Sequence, residues 1–186
     1  VLFRSGGRTN VTYNCVDRHV EAGRGDRVAF HWEGEPVGDL RTITYGDLQR
    51  DVVRFANALR QLGVRKGTRV AIYMGMIPEL AVAMLACARL GAPHTVVFGG
   101  FSADALADRI NDMGCEVLVT QDEAWRRGKP VPLKRVADEA MADAPGVRAS
   151  LVLRRTGNEV PMTEGRDHWY HDVVARVSDD PATCPC

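Results

Sequence analysis

The chain has 186 residues, with 24 Lys or Arg against 24 Asp or Glu and a formal net charge of zero; 45% is hydrophobic and 26% charged. A chain of this size buries roughly 70% of the surface its unfolded form exposes, so its core needs neither disulfides nor metal, and the composition is that of a folded domain rather than a disordered one. The zero balance excludes a basic nucleic-acid-binding domain and a polybasic membrane-surface module, and no apolar run nears the ~20 residues of a membrane-spanning helix.

Residues 1 to 10 are rich in Gly and Arg and read as irregular. Asn14 to Ala22 carries Cys15, Val16, His19 and Val20 at helical spacing, closed by Gly23. Arg27 to Glu33 alternates Val28, Phe30 and Trp32 onto one face, and Arg41 to Tyr45 is a second strand, so the pair reads as a β-hairpin with a long loop. The clearest helix follows. Leu48, Val52, Phe55, Leu59 and Leu62 make one stripe, Thr44 and Asp47 stand at capping-box spacing, and Gly63 ends it. Arg50, Asp51, Arg54 and Arg60 on its polar side read as a solvated face.

The middle of the chain repeats one rhythm. Arg69 to Met74 is a short apolar strand, and Ile77 to Leu90 is a helix apolar nearly all round, with Pro78 in its first turn. His94 to Phe98 is read as a second buried strand. Ser102 caps a helix over Ala103 to Met113, and Cys115 to Thr120 is a third strand. This order predicts parallel βαβ units with right-handed crossovers. Gln121 to Pro130 reads as a polar loop, Leu133 to Met141 as a helix, Ala149 to Arg154 as a fourth strand and Asp167 to Val177 as a short helix. The predicted fold class is three-layer α/β: a partial parallel sheet with helices on both faces, preceded by a helix and a β-hairpin.

Two loops could carry chemistry. Phe98-Gly99-Gly100-Phe101-Ser102 sits where a parallel strand gives way to a helix, the edge at which open α/β sheets bind ligands. Paired glycines admit a ligand to the backbone, and a helix start offers N–H groups to an anion; a tight turn with a Ser cap explains the same residues. Arg126-Arg127-Gly128-Lys129 places three cations in four residues after another strand, which suits a phosphate group; a charged exposed loop is the plain alternative. The strands before the two loops are expected to be neighbours, so one phosphorylated cofactor could span both. His94, His168, His171 and the Asp17-Arg18-His19 triplet acquire no role from spacing. Five cysteines, Cys15, Cys87, Cys115, Cys184 and Cys186, form no CxxC and fit reduced thiols in the cytoplasm. Cys184-Pro-Cys186 lacks the second ligand pair that a metal site needs.

Several longer strings resemble one family. They are Asn10-Val-Thr-Tyr-Asn-Cys-Val-Asp-Arg-His19, Thr42-Ile-Thr-Tyr45, Arg69-Val-Ala-Ile-Tyr-Met74, Gly91-Ala-Pro-His94, Val96-Val-Phe-Gly-Gly-Phe-Ser102 and Arg126-Arg-Gly-Lys129. Together they resemble the acyl-adenylate-forming, AMP-binding ligases, on the branch that joins acetate or propionate to coenzyme A (CoA). The resemblance runs from about Gly6 to the C-terminus. It implies that residues 6–186 are an incomplete N-terminal portion of the ligase domain, with residues 1–5 a possible foreign lead-in. It implies ATP, CoA and acetate as substrates, reacting through an acetyl-adenylate, with Mg2+ held outside this portion. It also implies that Gly100 contacts CoA and that Arg126, Arg127, Gly128 and Lys129 form a phosphate-binding loop, with Lys129 standing where Arg is common.

No Ser/Thr/Gly-rich phosphate loop with its Lys is found in the sequence, and no catalytic residue is assigned. The expectation is a part-chain that is inactive alone and lacks the remainder of its polypeptide, with no nucleic-acid or membrane partner. A dinucleotide-binding dehydrogenase would place GxGxxG after the first parallel strand, where the sequence reads Met74-Gly-Met-Ile-Pro78. A propionate-specific ligase and a non-catalytic CoA- or nucleotide-binding module remain as alternatives.

Overall fold

The computed structural model describes residues 7–186; the lead-in expected over residues 1–5 lies outside the described residues. Two wide helical turns, Tyr13–Asp17 and Val20–Arg24, occupy the position of the first predicted helix, with Gly23 at φ +73°. Strands β1 (Val28–Glu33) and β2 (Leu40–Thr44) form the expected antiparallel hairpin. A bulge between Val28 and Phe30 breaks the alternation, so Val28 is exposed while Phe30 and Trp32 pack inward.

Helix α1 (Tyr45–Gln61) begins as its sequence dictates. The Asp47 amide donates to the Thr44 hydroxyl at 3.1 Å, and the Thr44 amide donates to the Asp47 carboxylate at 3.2 Å. Its apolar stripe, Leu48, Val52, Phe55 and Leu59, is buried. Its polar side is not simply a solvated face. Arg54 pairs with Asp179 at 2.6 Å, Asn57 donates to Ser178 and Thr183, and Arg60 donates to the Thr183 carbonyl. These bonds clamp the C-terminal segment onto α1.

A five-stranded parallel sheet follows, in the order β4-β3-β5-β8-β9. Its strands are β3 (Val70–Met74), β4 (His94–Phe98), β5 (Val117–Gln121), β8 (Ala149–Leu153) and β9 (Asp167–Trp169). Helices α1 and α2 (Pro78–Leu90) cover one face, packing on Val70, Ile72, Val117, Val119 and Leu151. Helices α3 (Ala103–Met113) and α4 (Leu133–Ala142) cover the other, packing on Ala71, Tyr73, Val97 and Leu118. Because side chains alternate along a strand, each central strand feeds both cores. The three-layer α/β architecture is therefore the one expected from the sequence.

Four local expectations are corrected. Gln121 to Pro130 is not simply a loop, because β6 (Ala124–Arg126) and β7 (Lys129–Val131) pair as a tight hairpin. Arg127 at φ +53° and Gly128 at φ +71° form its two-residue turn, the left-handed pair that matches strand twist. Asp167 to Val177 is not one helix but β9 followed by α5 (Tyr170–Val174), so His168 and His171 lie on different elements. The backbone of Asp167 pairs with Ser150, and its carboxylate meets Lys134 and Arg166. The strand of His94 is an edge strand with Val96 and Phe98 exposed. Finally, β4 and β5 are not neighbours, because the crossover through α3 carries the chain past β3.

The Asp17-Arg18-His19 triplet gains a structural role. Arg89 of α2 is buried and pairs with Asp17 at 2.7 Å while donating to the Cys184 carbonyl at 2.5 Å. Gln49 of α1 donates to the second Asp17 oxygen. One charge network thus joins the N-terminal turns, α1, α2 and the C-terminal segment.

Candidate functional site

The strand order places the site. Numbered along the parallel sheet, the order is 2-1-3-4-5, with the chain reversing direction across β3. In such a sheet, the loops leaving β3 and β5 diverge to opposite faces and leave a crevice at their carboxyl ends. A cleft of about 390 Å3 lies there. Its floor includes Gly75, Met76 and Ile77 after β3 and Gln121 at the end of β5. Its walls are Phe98 and Gly99 after β4, Trp125 and Arg126 of β6, Trp32 to Glu35 of the β1–β2 hairpin, and Arg155 after β8.

The paired glycines serve different ends. Neither has a positive φ, so space rather than backbone conformation demands them. A Cβ at Gly99 would sit 3.3 Å from both Leu133 Cδ1 and the Met74 carbonyl oxygen, so Gly99 lets the turn pack on α4 and β3. A Cβ at Gly100 would sit 2.5 Å from Arg126 Nη1 and 2.7 Å from Phe98 Cε1. Gly100 therefore makes room for the guanidinium, which also lies 5.3 Å from the centroid of the exposed Phe98 ring. Such a contact is worth about 0.5–1 kcal/mol at an exposed position. Phe101 meets Phe98 edge to face, and the Tyr73 hydroxyl holds the turn by donating to the Phe101 carbonyl at 3.0 Å. Burial raises the Tyr73 pKa, keeping that donor protonated. Ser102 caps α3 by accepting from the Ala105 amide.

Three consecutive residues at the end of β5 brace the surrounding loops. Gln121 accepts from the Gly75 amide at 2.9 Å and donates to the Glu123 carbonyl. The buried Asp122 carboxylate accepts from the amides of Glu123, Arg155, Thr156 and Gly157. Glu123 accepts from the Thr156 hydroxyl and the Asn158 amide group. The same strand end thus fixes the loop after β3 and the loop after β8, then launches the basic hairpin. On the far wall, the Trp32 indole donates to the Met76 carbonyl at 2.8 Å, and its ring lies between 5 and 6 Å from the guanidinium carbons of Arg41 and Arg155. Arg155 also pairs with Asp39.

The candidate residues named from sequence are brought together in part. Gly100 and Arg126 meet directly, although β3 separates their strands. Arg127 and Gly128 form the hairpin turn, and Lys129 lies with Arg126 on a shallower surface beside the cleft. Among the described residues, Arg126, Arg127 and Lys129 have no carboxylate partner. The result is a basic rim on the hairpin side of a cleft that Glu33 and Glu35 also line. Such a rim fits an anionic ligand, and a planar ring would find Phe98 and Trp125 as stacking surfaces. Sequence reasoning missed Trp32, Glu35, Gln121, Asp122 and Arg155. The position of Gln121-Asp122 at the carboxyl end of a buried strand is the one local signal that points to them.

A family model described as AMP-binding enzyme matches residues 16–185. An acetyl-coenzyme A synthetase of Streptomyces avermitilis is 60% identical over 172 residues, which is 92% of this chain and 26% of that protein. Acetyl-coenzyme A synthetases of Mycobacterium bovis and Rubrobacter xylanophilus are 60% and 54% identical, each over 97% of this chain and 28% of its own length. The chain therefore spans little more than a quarter of these relatives.

Proposed function

The chain belongs to the AMP-binding enzyme family, and from that membership we propose that it serves as the CoA-receiving part of an acetate–CoA ligase, with residues 6–186 forming one portion of the ligase domain. The observation that carries the reading is the meeting of Gly100 with Arg126 at the mouth of the cleft. The substrates are acetate, ATP and CoA, in line with the names of the relatives. The acetate carboxylate attacks the α-phosphorus of ATP, releasing pyrophosphate and leaving acetyl-adenylate. The CoA sulfur then attacks the acetyl carbon, a C–S bond forms, the C–O bond to phosphate breaks, and AMP departs.

In this scheme the chain's own residues bind and orient CoA. Arg126, Arg127 and Lys129 attract its phosphates, with Arg126 offering a forked pair of donors and Lys129 a point charge. Gly100 keeps the backbone low enough for the ligand to pass beside Arg126, and Gly128 gives the turn its left-handed geometry. Phe98 offers an apolar face to the adenine. Among the described residues, no group of three or more His, Cys, Asp or Glu converges, and no helix is long and apolar enough to cross a membrane. The five free thiols suit a reducing, cytoplasmic setting. Alone, the segment is inactive.

The test is Arg126→Ala in the ligase of which this segment forms part. Losing one charge-assisted contact of about 1.5–3 kcal/mol raises the KM for CoA ~10- to 150-fold and leaves acetate-dependent ATP–pyrophosphate exchange largely intact. Equal loss of both half-reactions would reject the assignment.

A further inference from the structure

One contact across the cleft is explained by neither the fold nor the assignment above. Glu35, in the connection between β1 and β2, accepts a hydrogen bond from the backbone N–H of Gly128 at 2.5 Å. Gly128 is the tip of the basic hairpin, in a turn whose left-handed pair Arg127 and Gly128 turns this amide outward to the facing wall. Glu35 and Arg126 both line the cleft. A carboxylate therefore sits on a backbone donor of the hairpin whose Arg126, Arg127 and Lys129 have no carboxylate partner among the described residues.

The connection that carries Glu35 is held at its base and exposed at its tip. The base of the β1–β2 connection is fixed: the Gly34 amide donates to the Asp39 carbonyl at 2.7 Å, Asp39 pairs with Arg155, and Trp32 donates to Met76. At the tip, Glu35 is exposed and Val37 fully so, while the Asp39 amide donates to the Pro36 carbonyl at 3.1 Å. Among the described residues, the Glu35 side chain makes one hydrogen bond and no ion pair. An exposed bond of this kind contributes little to folding, and it fills the very donor that a phosphate oxygen would use.

We propose that Glu35 is an internal competitor for the anion site of the basic hairpin: its carboxylate holds the Gly128 amide in the free protein and is displaced by a phosphate of the incoming ligand. It thereby sets the affinity of the site. Displacement needs only a side-chain rotation about a fixed loop base, and the released carboxylate returns to water. The like charges of Glu35 and a bound phosphate disfavour joint occupancy, so the free state is protected from weak anions. This inference rests on the assignment of the hairpin to CoA phosphates.

The experiment compares Glu35→Gln and Glu35→Ala with wild type in the ligase carrying this segment, using calorimetric CoA binding and the KM for CoA, with thermal melting as the check on folding. Competition predicts that both variants bind CoA more tightly, by ~3- to 10-fold, the removal of one exposed charged contact near 1 kcal/mol. Dephospho-CoA, which lacks the 3′-phosphate, separates the possible anions. A gain seen with CoA alone assigns the displacing group as the 3′-phosphate, and a gain seen with both assigns the diphosphate. Unchanged or weaker binding in both variants, with normal melting, would overturn the inference, because Glu35 would then merely brace the turn. Arg126→Ala, run in parallel, keeps the two claims apart: if it leaves CoA binding unchanged, the assignment of the hairpin fails as well.

Discussion

Gly100→Ala gives the most informative single perturbation of the site. The new Cβ would stand 2.5 Å from Arg126 Nη1 and 2.7 Å from Phe98 Cε1. Unstrained carbon contacts lie at about 3.5–4.0 Å, so both tips must retreat by roughly 1 Å. Gly100 has no positive φ, and alanine adopts its backbone without strain. The atoms in the way are the ends of an exposed arginine and a half-exposed ring, which can swing aside. The folding cost is therefore small and is offset by about 0.4–1 kcal/mol from the stiffer unfolded chain. Binding suffers instead, because Arg126 is driven off the position from which it reaches the cleft. Losing its charge-assisted bond, about 1.5–3 kcal/mol, corresponds to ~10- to 150-fold in the KM for CoA. Paired measurements of thermal midpoint and CoA kinetics separate the terms. An unchanged KM with an unchanged midpoint would refute the reasoning, as would a collapsed midpoint, which would make Gly100 a packing residue.

Other residues give predictions on stability and pH. Asp122→Ala strands the amides of Arg155, Thr156 and Gly157 and should cost at least ~3 kcal/mol, seen in chemical denaturation, with the loop after β8 losing hydrogen-exchange protection first. Arg89→Met leaves Asp17 as a buried, unpaired carboxylate and should cost about 3–5 kcal/mol, whereas the double variant with Asp17→Leu should recover much of that loss. For pH, burial pushes the Asp167 carboxyl upward, but bonds from Arg166, the Thr163 amide and Lys134 outweigh it and hold its pKa below the ordinary carboxylate range. A carboxyl lowered on folding contributes stability that is complete above the unfolded value and lost as pH falls through the folded one. Acid unfolding should therefore steepen below about pH 4, and Asp167→Asn should flatten that limb while lowering stability at neutral pH.

What could be read in the sequence was mostly what depends on neighbours along the chain. The α1 stripe and the Thr44–Asp47 box are set within three or four residues, and both appear as expected. The βαβ rhythm emerges because the strands are short apolar runs and the helices α2 and α3 between them end at Gly91 and Gly114. Strand order was not legible, since nothing in β4 or β5 records that β3 lies between them. The basic hairpin was hidden because its strands are three residues long and its turn is Arg-Gly rather than the Asn-Gly that marks such turns. The pairing of the buried Arg89 with Asp17 was not legible, because the two lie 72 positions apart. At the site, Gly100 and Arg126 were both identifiable, but their approach needs the third dimension. Glu35, Asp122 and Arg155 stand out only once three separate loops share one sheet edge.

The central claim is that this sheet edge receives CoA rather than activating the acid. Separate measurement of the two half-reactions of the ligase with Arg126→Ala addresses it most directly. Acetate-dependent ATP–pyrophosphate exchange should stay near the wild-type rate while the KM for CoA rises at least ~10-fold. Parallel loss of both, or an unchanged KM for CoA, would contradict it.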